Sequence, residues 1–262
     1  MNPLAVYRHR PLCDGVTVIS TASDTMFMYL IQGKDRCVLI DTGYGHGDLG
    51  AYVRGLTDLP VDVINTHGHP DHVGANDAFG TVYQARNAER DFHEAFGAPA
   101  HRAKDVRFLS DGERREIASL PFSFLDCTSH SHSDLAVLDE THRILFCGDI
   151  IDPHQVLLIA FSDDEGTYID RVRLHLEAMK KVLLWEDHFD RICPSHNETP
   201  IPKEYPRRLI RLDEALLQGT AVPAPLDHKY LSADADAPYL RRVRGEGCSI
   251  IYRLPRNNKE II

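Results

Sequence analysis

One hexapeptide, His67-Gly-His69-Pro-Asp71-His72, carries four side chains able to bind a metal ion. Neutral imidazole is the commonest protein ligand for zinc, and carboxylate completes that ion's usual donor set. His67 and His69 lie two residues apart, so in extended chain they point to the same side. Asp71 and His72 come one turn later and can face a second ion. A polar loop that merely happens to be histidine-rich is the bland alternative; four ligand types at this density point to a metal centre. Further along, Ser129-His130-Ser131-His132-Ser133 offers two more histidines, again alternating by two, so both could face one ion. A bound divalent ion polarises the bond under attack and makes a nucleophile of water near neutral pH. Hydrolysis is the chemistry such a cluster serves best.

The flanking sequence supplies the elements that must hold these residues. Val16–Ser20, Met26–Gln32 and Cys37–Asp41 are short apolar runs bounded by turn residues, the pattern of successive strands. A helix is expected over Asp48–Leu56, after the Gly-rich turn that follows Asp41-Thr42-Gly43. Val61–Asn65 is a β-branched run, hence a buried strand, and it ends directly on Thr66-His67. Thr81–Gln84 is another strand, and Ala85–Phe96 has helical spacing. Val106–Leu109, Arg114–Ala118, Phe122–Asp126, Leu135–Asp139 and Arg143–Cys147 then form a β-meander. Tyr168–Trp185 is the best helix, with Val172, Leu176, Met179 and Leu183 on one face. Arg191–Cys193 is a strand leading into Pro194-Ser195-His196, and Tyr205–Gln218 is a second long helix. Val222–Leu226, with two prolines, breaks regularity, and Ser249–Arg253 is a last strand. Two strand-rich halves, each followed by helices, predict an α/β (α+β) chain with two sheets packed face to face. No linker divides them, so a single domain over 1–262 is expected, its core about 15–200 and a C-terminal extension about 201–262.

These motifs, in this order, resemble the metallo-β-lactamase-fold hydrolases. The HxHxDH segment before Gly74-Ala75-Asn76 is similar to that family's signature, and Asp41-Thr42-Gly43 to its DTG turn. Ser129-His130-Ser131, Phe146-Cys147-Gly148-Asp149 and Pro194-Ser195-His196 resemble its later ligand segments. The resemblance implies an αββα sandwich of two mixed sheets with helices outside and the metals at one edge. It further implies that His67, His69 and His130 hold a first ion, that Asp71, His72 and His196 hold a second, and that Asp149 bridges both. The separation from Asp149 selects His130 over His132, which then lines the cleft. Asp41 would accept a hydrogen bond from a ligand imidazole and fix its tautomer, or simply end a strand as a turn aspartate. The cofactor expected is a pair of zinc ions, with manganese or iron as substitutes. A hydroxide shared by ions about 3.5–4 Å apart would attack the substrate, with Asp71 also serving catalysis. Tyr168 could donate to an oxyanion, although capping or packing is the commoner role. His46 and His154 are loop histidines that could line the cleft. Arg207, Arg208 and Arg211, with Arg241, Arg242 and Arg244 beyond, could grip an anionic substrate tail or simply form a solvated face.

Bulk properties narrow the partners. The chain has 262 residues, fifteen histidines and a formal net charge of −10, which opposes binding to nucleic acid. No apolar run approaches the roughly 18 residues of a membrane span. The start lacks a signal-peptide pattern, and six scattered cysteines predict a reduced, cytoplasmic protein. The partner expected is a small-molecule substrate, with no nucleic acid and no membrane; a homo-oligomer is compatible with the sequence. A thioester of the hydroxyacylglutathione type, or a lactone, is the expected substrate. The alternative is a mono-iron persulfide-dioxygenase-like oxidoreductase.

Overall fold

The structure, a computed structural model, describes residues 6–21, 26–96, 103–159, 168–227 and 237–254. Its first sheet has seven strands in chain order: β1 (Tyr7–Cys13), β2 (Val16–Thr21), β3 (Phe27–Gln32), β4 (Cys37–Ile40), β5 (Val61–Ile64), β6 (Thr81–Ala85) and β7 (Asp105–Leu109). Pairing is antiparallel from β1 to β4 and parallel from β4 to β7. The parallel steps need crossovers, which α1 (Leu49–Arg54), α2 (Pro70–Val73) and α3 (Ala88–Phe96) provide. The second sheet runs β13-β11-β10-β9-β8, from β8 (Arg114–Ile117), β9 (Leu120–Asp126), β10 (Leu135–Asp139), β11 (Ile144–Gly148) and β13 (Arg191–Pro194).

Side-chain alternation explains why these sheets stack. Tyr29 and Ile31 of β3, with Val38 and Ile40 of β4, face Phe122, Phe124, Val137 and Phe146 of the second sheet in one buried cluster. The intervening Met28, Leu30, Cys37 and Leu39 point the other way, where Leu49 and Val53 of α1 cover them. On the far face of the second sheet, Ala136, Leu138, Leu145 and Cys147 pack under α4 (Tyr168–Leu184) and α5 (Tyr205–Leu217). The layers are therefore helix, sheet, sheet, helix, as strands of period two require when both faces are buried.

Several expectations need correction. The segment read as the start of a meander, β7, belongs to the first sheet, where it pairs with β6. A third sheet stands beside the two expected, in the order β12-β16-β15-β14, from β12 (Val156–Leu158), β14 (Val222–Ala224), β15 (Leu240–Arg244) and β16 (Ser249–Arg253). Val222–Ala224 is thus a strand rather than an irregular stretch; it lies at the sheet edge, where Pro223 is tolerated. Helix α3 begins at Ala88, because Ala85 completes β6. In α4 the buried face runs through Val172, His175, Leu176, Met179 and Val182, leaving Leu183 half-buried. All six cysteines are free thiols, five of them buried.

Backbone bonds stitch the two large sheets along one edge. Leu135 N donates to Thr66 O at 2.7 Å, and Phe27 N to Ser195 O at 2.7 Å. Tyr29, buried on β3, donates its hydroxyl to Pro194 O at the end of β13. Among the described residues no helix is long and apolar enough to cross a membrane.

Candidate metal centre

That stitched edge is where the predicted ligands meet. The chain leaves β5 at Ile64, and its next eight residues carry His67, His69, Asp71 and His72, the last two within α2. His69 is the N-cap of α2 in extended conformation, and Pro70 starts the helix, where its missing N–H costs nothing. The chain passes close to its neighbours here: a Cβ on Gly68 would lie 2.0 Å from Ala88 O. From the second sheet come the loop before β10, which carries His130, and the ends of β11 and β13, which lead into Asp149 and His196. Gly148 turns with φ +53°, and a Cβ there would strike Thr66 Oγ1 at 2.6 Å, so glycine sets the approach of Asp149.

His67, His69 and His130 form one group and Asp71, His72 and His196 another, while Asp149 joins His67 and His72 in a third. His69 Nδ1 lies 3.0 Å from both His67 Nε2 and His130 Nε2. Tetrahedral zinc with imidazole ligands separates neighbouring donor nitrogens by about 3.3 Å, so the spacing fits an ion. His130 Nδ1 donates to Leu157 O at 2.7 Å, which turns Nε2 toward the cluster. Asp149 spans the groups: Oδ1 lies 3.4 Å from both His72 Nε2 and His196 Nε2, and Oδ2 lies 3.6 Å from His130 Nε2. His196 Nε2 is also 3.2 Å from Asp71 Oδ2. His72 Nε2 and Asp149 Oδ1 are buried and make no hydrogen bond. Unsatisfied buried polar atoms are costly, and a shared cation would satisfy both. The donors present therefore fit a divalent metal.

Electrostatics divides the site. Burial lowers His69 to about 3, with His130 and His72 adding to the effect, and burial likewise holds His67 well below the usual histidine range. For His196 burial pulls down but is outweighed by Asp149 and Asp71, which raise it to about 10. His72 is raised well above its ordinary value the same way, against burial, by Asp149, Asp71 and Asp41. Burial would lift Asp71, but His72 and His196 bring it down to about 2. His67 and His69 thus offer neutral imidazoles, and His72, His196 and Asp71 hold charge that a cation would replace.

A second rank of residues holds the first. Asp41, fully buried with φ +59°, accepts from Thr66 N and Thr66 Oγ1 at 2.8 Å, from His72 Nδ1 at 2.8 Å and from Ser195 Oγ at 3.2 Å. With Nδ1 held on Asp41, His72 presents Nε2 to the cluster. Asp134 clamps the loop around His130, accepting from Ser129 N and Ser131 N at 2.9 and 2.8 Å. Asn197, at φ +63°, donates from Nδ2 to Asp152 at 2.6 and 2.8 Å and so ties the loop after His196 to the loop after Asp149. Asp134, Asp152 and Asn197 were not singled out in the sequence; each lies within four residues of a ligand candidate, the one clue available.

The remaining candidates fall elsewhere. His132 turns away: its backbone N–H donates to Asp91 Oδ1 on α3 at 2.9 Å, and its Nε2 lies 3.4 Å from Glu94 Oε2. Tyr168 stacks on Tyr252 with ring centroids 4.6 Å apart, a packing role. His46 is exposed and stacks on Tyr44. His154 is exposed beside a cavity lined also by Arg208, Arg242 and Arg244, while Arg207, Arg211 and Arg241 do not line it.

The chain is similar to known proteins in both sequence and fold. The chain is 25% identical over 234 residues to the acyl-coenzyme A thioesterase MBLAC2 of Gallus gallus, covering 75% of this chain and 82% of that one. It is 28% identical over 139 residues to a hydroxyacylglutathione hydrolase of Aeromonas salmonicida, covering 52% of this chain and only 50% of the relative. A metallo-beta-lactamase from Pontibacter korlensis shares the fold at a TM-score of 0.60 and 16% identity, over 79% of this chain and 99% of that one. The profile of the metallo-beta-lactamase superfamily matches residues 27–196, from the first residue of β3 to His196 itself. That span takes in most of the chain and every segment that meets at the cluster, and the chain belongs to the metallo-beta-lactamase superfamily.

Proposed function

We propose that this protein is a metal-dependent hydrolase of small acyl thioesters, with lactones as a second substrate class. The observation that carries the reading is Asp149, whose two carboxylate oxygens face different histidine groups. Such a carboxylate suits a pair of ions better than one. In this reading His67, His69 and His130 hold the first ion, Asp71, His72 and His196 the second, and Asp149 both. Two divalent ions, zinc matching the donors best, would supply Lewis acidity and lower the pKa of bound water.

The chain's own residues set the rest. Asp41 keeps His72 in one tautomer, and the Asn197–Asp152 pair keeps the His196 loop in place. Asp71, 17% exposed, reaches both the cluster and solvent and can hold or pass a proton. With its histidines holding ions, the cluster would keep no protonated imidazole to serve as acid for a poor leaving group. A thiolate leaves without strong acid assistance, whereas an amide nitrogen needs it. The names of the thioesterase and hydroxyacylglutathione hydrolase relatives support the same bond type.

The test is a panel of thioesters, lactones, phosphodiesters and β-lactams, run with zinc, manganese and iron alongside elemental analysis. About two ions per chain are expected, with thioester or lactone hydrolysis lost on chelation and restored by zinc or manganese. Asp71→Ala should cut turnover by about a hundredfold or more while lowering the melting temperature less than complete metal removal does. Phosphodiester cleavage with no action on any thioester or lactone would overturn the substrate class. A single iron per chain with oxygen-dependent oxidation of a persulfide would replace the hydrolase by the oxidoreductase.

A further inference from the structure

Beside the cluster lies a cavity of about 520 Å³ between the loops after Asp149 and His196, the start of α5 and the β15–β16 turn. Its walls carry Arg208, Arg242 and Arg244, against a single acidic residue, Glu198. Arg242 is committed: it donates to Ser249 Oγ at 3.1 Å and to Asp227 Oδ1 at 3.0 Å. Among the described residues the guanidiniums of Arg208 and Arg244 make no hydrogen bond or ion pair, and Arg244 is exposed. Arg208 is half-buried, its guanidinium 5.4 Å from the centroid of the Tyr205 ring. Gly247, at φ +65°, leaves it room: a Cβ there would come 2.9 Å from Arg208 Nη1.

In a chain of net charge −10, two uncompensated guanidiniums in one cavity are a local reversal of the field. Arginine forks match phosphate oxygens in geometry as well as charge. The cavity is also joined to the metal ligands. Glu198 N donates to His196 O at 2.8 Å, so the rim stands within about 7 Å of the His196 Cα. His154, which also lines the cavity, follows Asp149 by five residues, and the Asn197–Asp152 bonds lock the two loops together. None of the ligand candidates lines the cavity, but its rim residues Glu198 and His154 follow His196 and Asp149 closely in the chain, within reach of the long arm of a thioester whose carbonyl sits at the cluster.

The geometry points to this cavity as the site for the phosphate-bearing arm of the thiol, gripped by Arg208 and Arg244. It rests on the thioesterase reading and deepens it: the substrate is the acyl ester of a phosphorylated thiol, not of a carboxylate-bearing one such as glutathione.

Binding can be read without turnover. Calorimetric titration of the zinc-loaded protein with adenosine 3′,5′-bisphosphate, which has neither thiol nor acyl group, should show a site that weakens as salt rises. Arg208→Ala and Arg244→Ala should each weaken it about 10- to 100-fold, the range of a charge-assisted hydrogen bond. Arg211→Ala, on the same helix but outside the cavity, is the control and should change nothing. Equal metal content and melting temperature in all variants exclude misfolding. In turnover, the KM for acetyl-coenzyme A should lie at least about tenfold below that for acetyl-pantetheine, and Arg208→Ala should erase the difference. No bisphosphate binding, or binding indifferent to both arginine substitutions, overturns the proposal, as does preference for an acylglutathione over acetyl-coenzyme A. If no thioester is hydrolysed yet bisphosphate binds through these arginines, the thioesterase reading fails and the phosphate site stands.

Discussion

Asp41 illustrates how much of a candidate metal site lies behind its ligand candidates. Its two oxygens take hydrogen bonds from Thr66, His72 and Ser195, joining a turn, a ligand helix and the segment before His196. The sequence leaves it between a turn aspartate and an acceptor for a ligand imidazole, because the partners that decide are 25, 31 and 154 residues away. The hexapeptide is legible for the opposite reason: ligand spacing within six residues is local, and local backbone geometry decides which way each side chain points. Between the two lies the His130–His132 choice. Both have the same parity in the chain, and what separates them is Asp91 on α3, which holds the His132 amide. His130→Ala should therefore lose about one ion per chain, whereas His132→Ala should retain both and lose less than half of its activity. Elemental analysis of the two variants decides it, and the reverse pattern would exchange their roles.

Helices α4 and α5 pack against each other around a buried ion pair that no pattern of apolar residues announces. His175 Nδ1 lies 2.8 Å from Asp213 Oδ2, and His175 Nε2 lies 2.8 Å from Ile150 O. A carbonyl only accepts, so Nε2 carries a proton, and Nδ1 carries one too when Asp213 is ionised. Burial pulls His175 down, but Asp213 and the two hydrogen bonds raise it above its ordinary 6.5; burial also raises Asp213, against the pull of His175. Both shifts have the same sign for stability: each group binds its proton more tightly folded than unfolded. The contribution of His175 is full below pH 6.5 and is lost as pH rises through its raised folded value. His175→Gln should cost about 3 kcal/mol near pH 6, and the gap from wild type should shrink in more alkaline buffer. Urea unfolding across pH measures it; a gap that widens with pH would refute the pairing. At this scale the sequence shows what periodicity can show. Strands that are short apolar runs bounded by polar residues, such as Leu135–Asp139 and Ser249–Arg253, are legible to the residue. β12 and β14, three residues each, are too short to display a period, and β15 is masked by its three arginines. The position of β7 depends on a pairing with β6 that no local pattern encodes.

Across the whole molecule, the ligand candidates are divided between the two large sheets. His67, His69, Asp71 and His72 follow a strand of the first, whereas His130, Asp149 and His196 adjoin strands of the second. Ions bound at the cluster would thus stabilise the sandwich as a unit, by about 4 kcal/mol for each ion held at a thousand times its Kd. Removing them with a chelator should lower the melting temperature by roughly 10 °C, a shift that zinc reverses. An unchanged melting temperature at complete metal removal would show that the ions are not held between the sheets. The same seam carries the Leu135–Thr66 and Phe27–Ser195 backbone bonds and the Tyr29 hydroxyl on Pro194. Its consequence is kinetic. Each of those bonds lies beside a ligand candidate, so with ions bound the sheets could not part at this edge without also tearing the coordination shell. The loaded protein would then have no partially open form in which the cluster stays whole, and loss of the ions and separation of the layers would become one slow event.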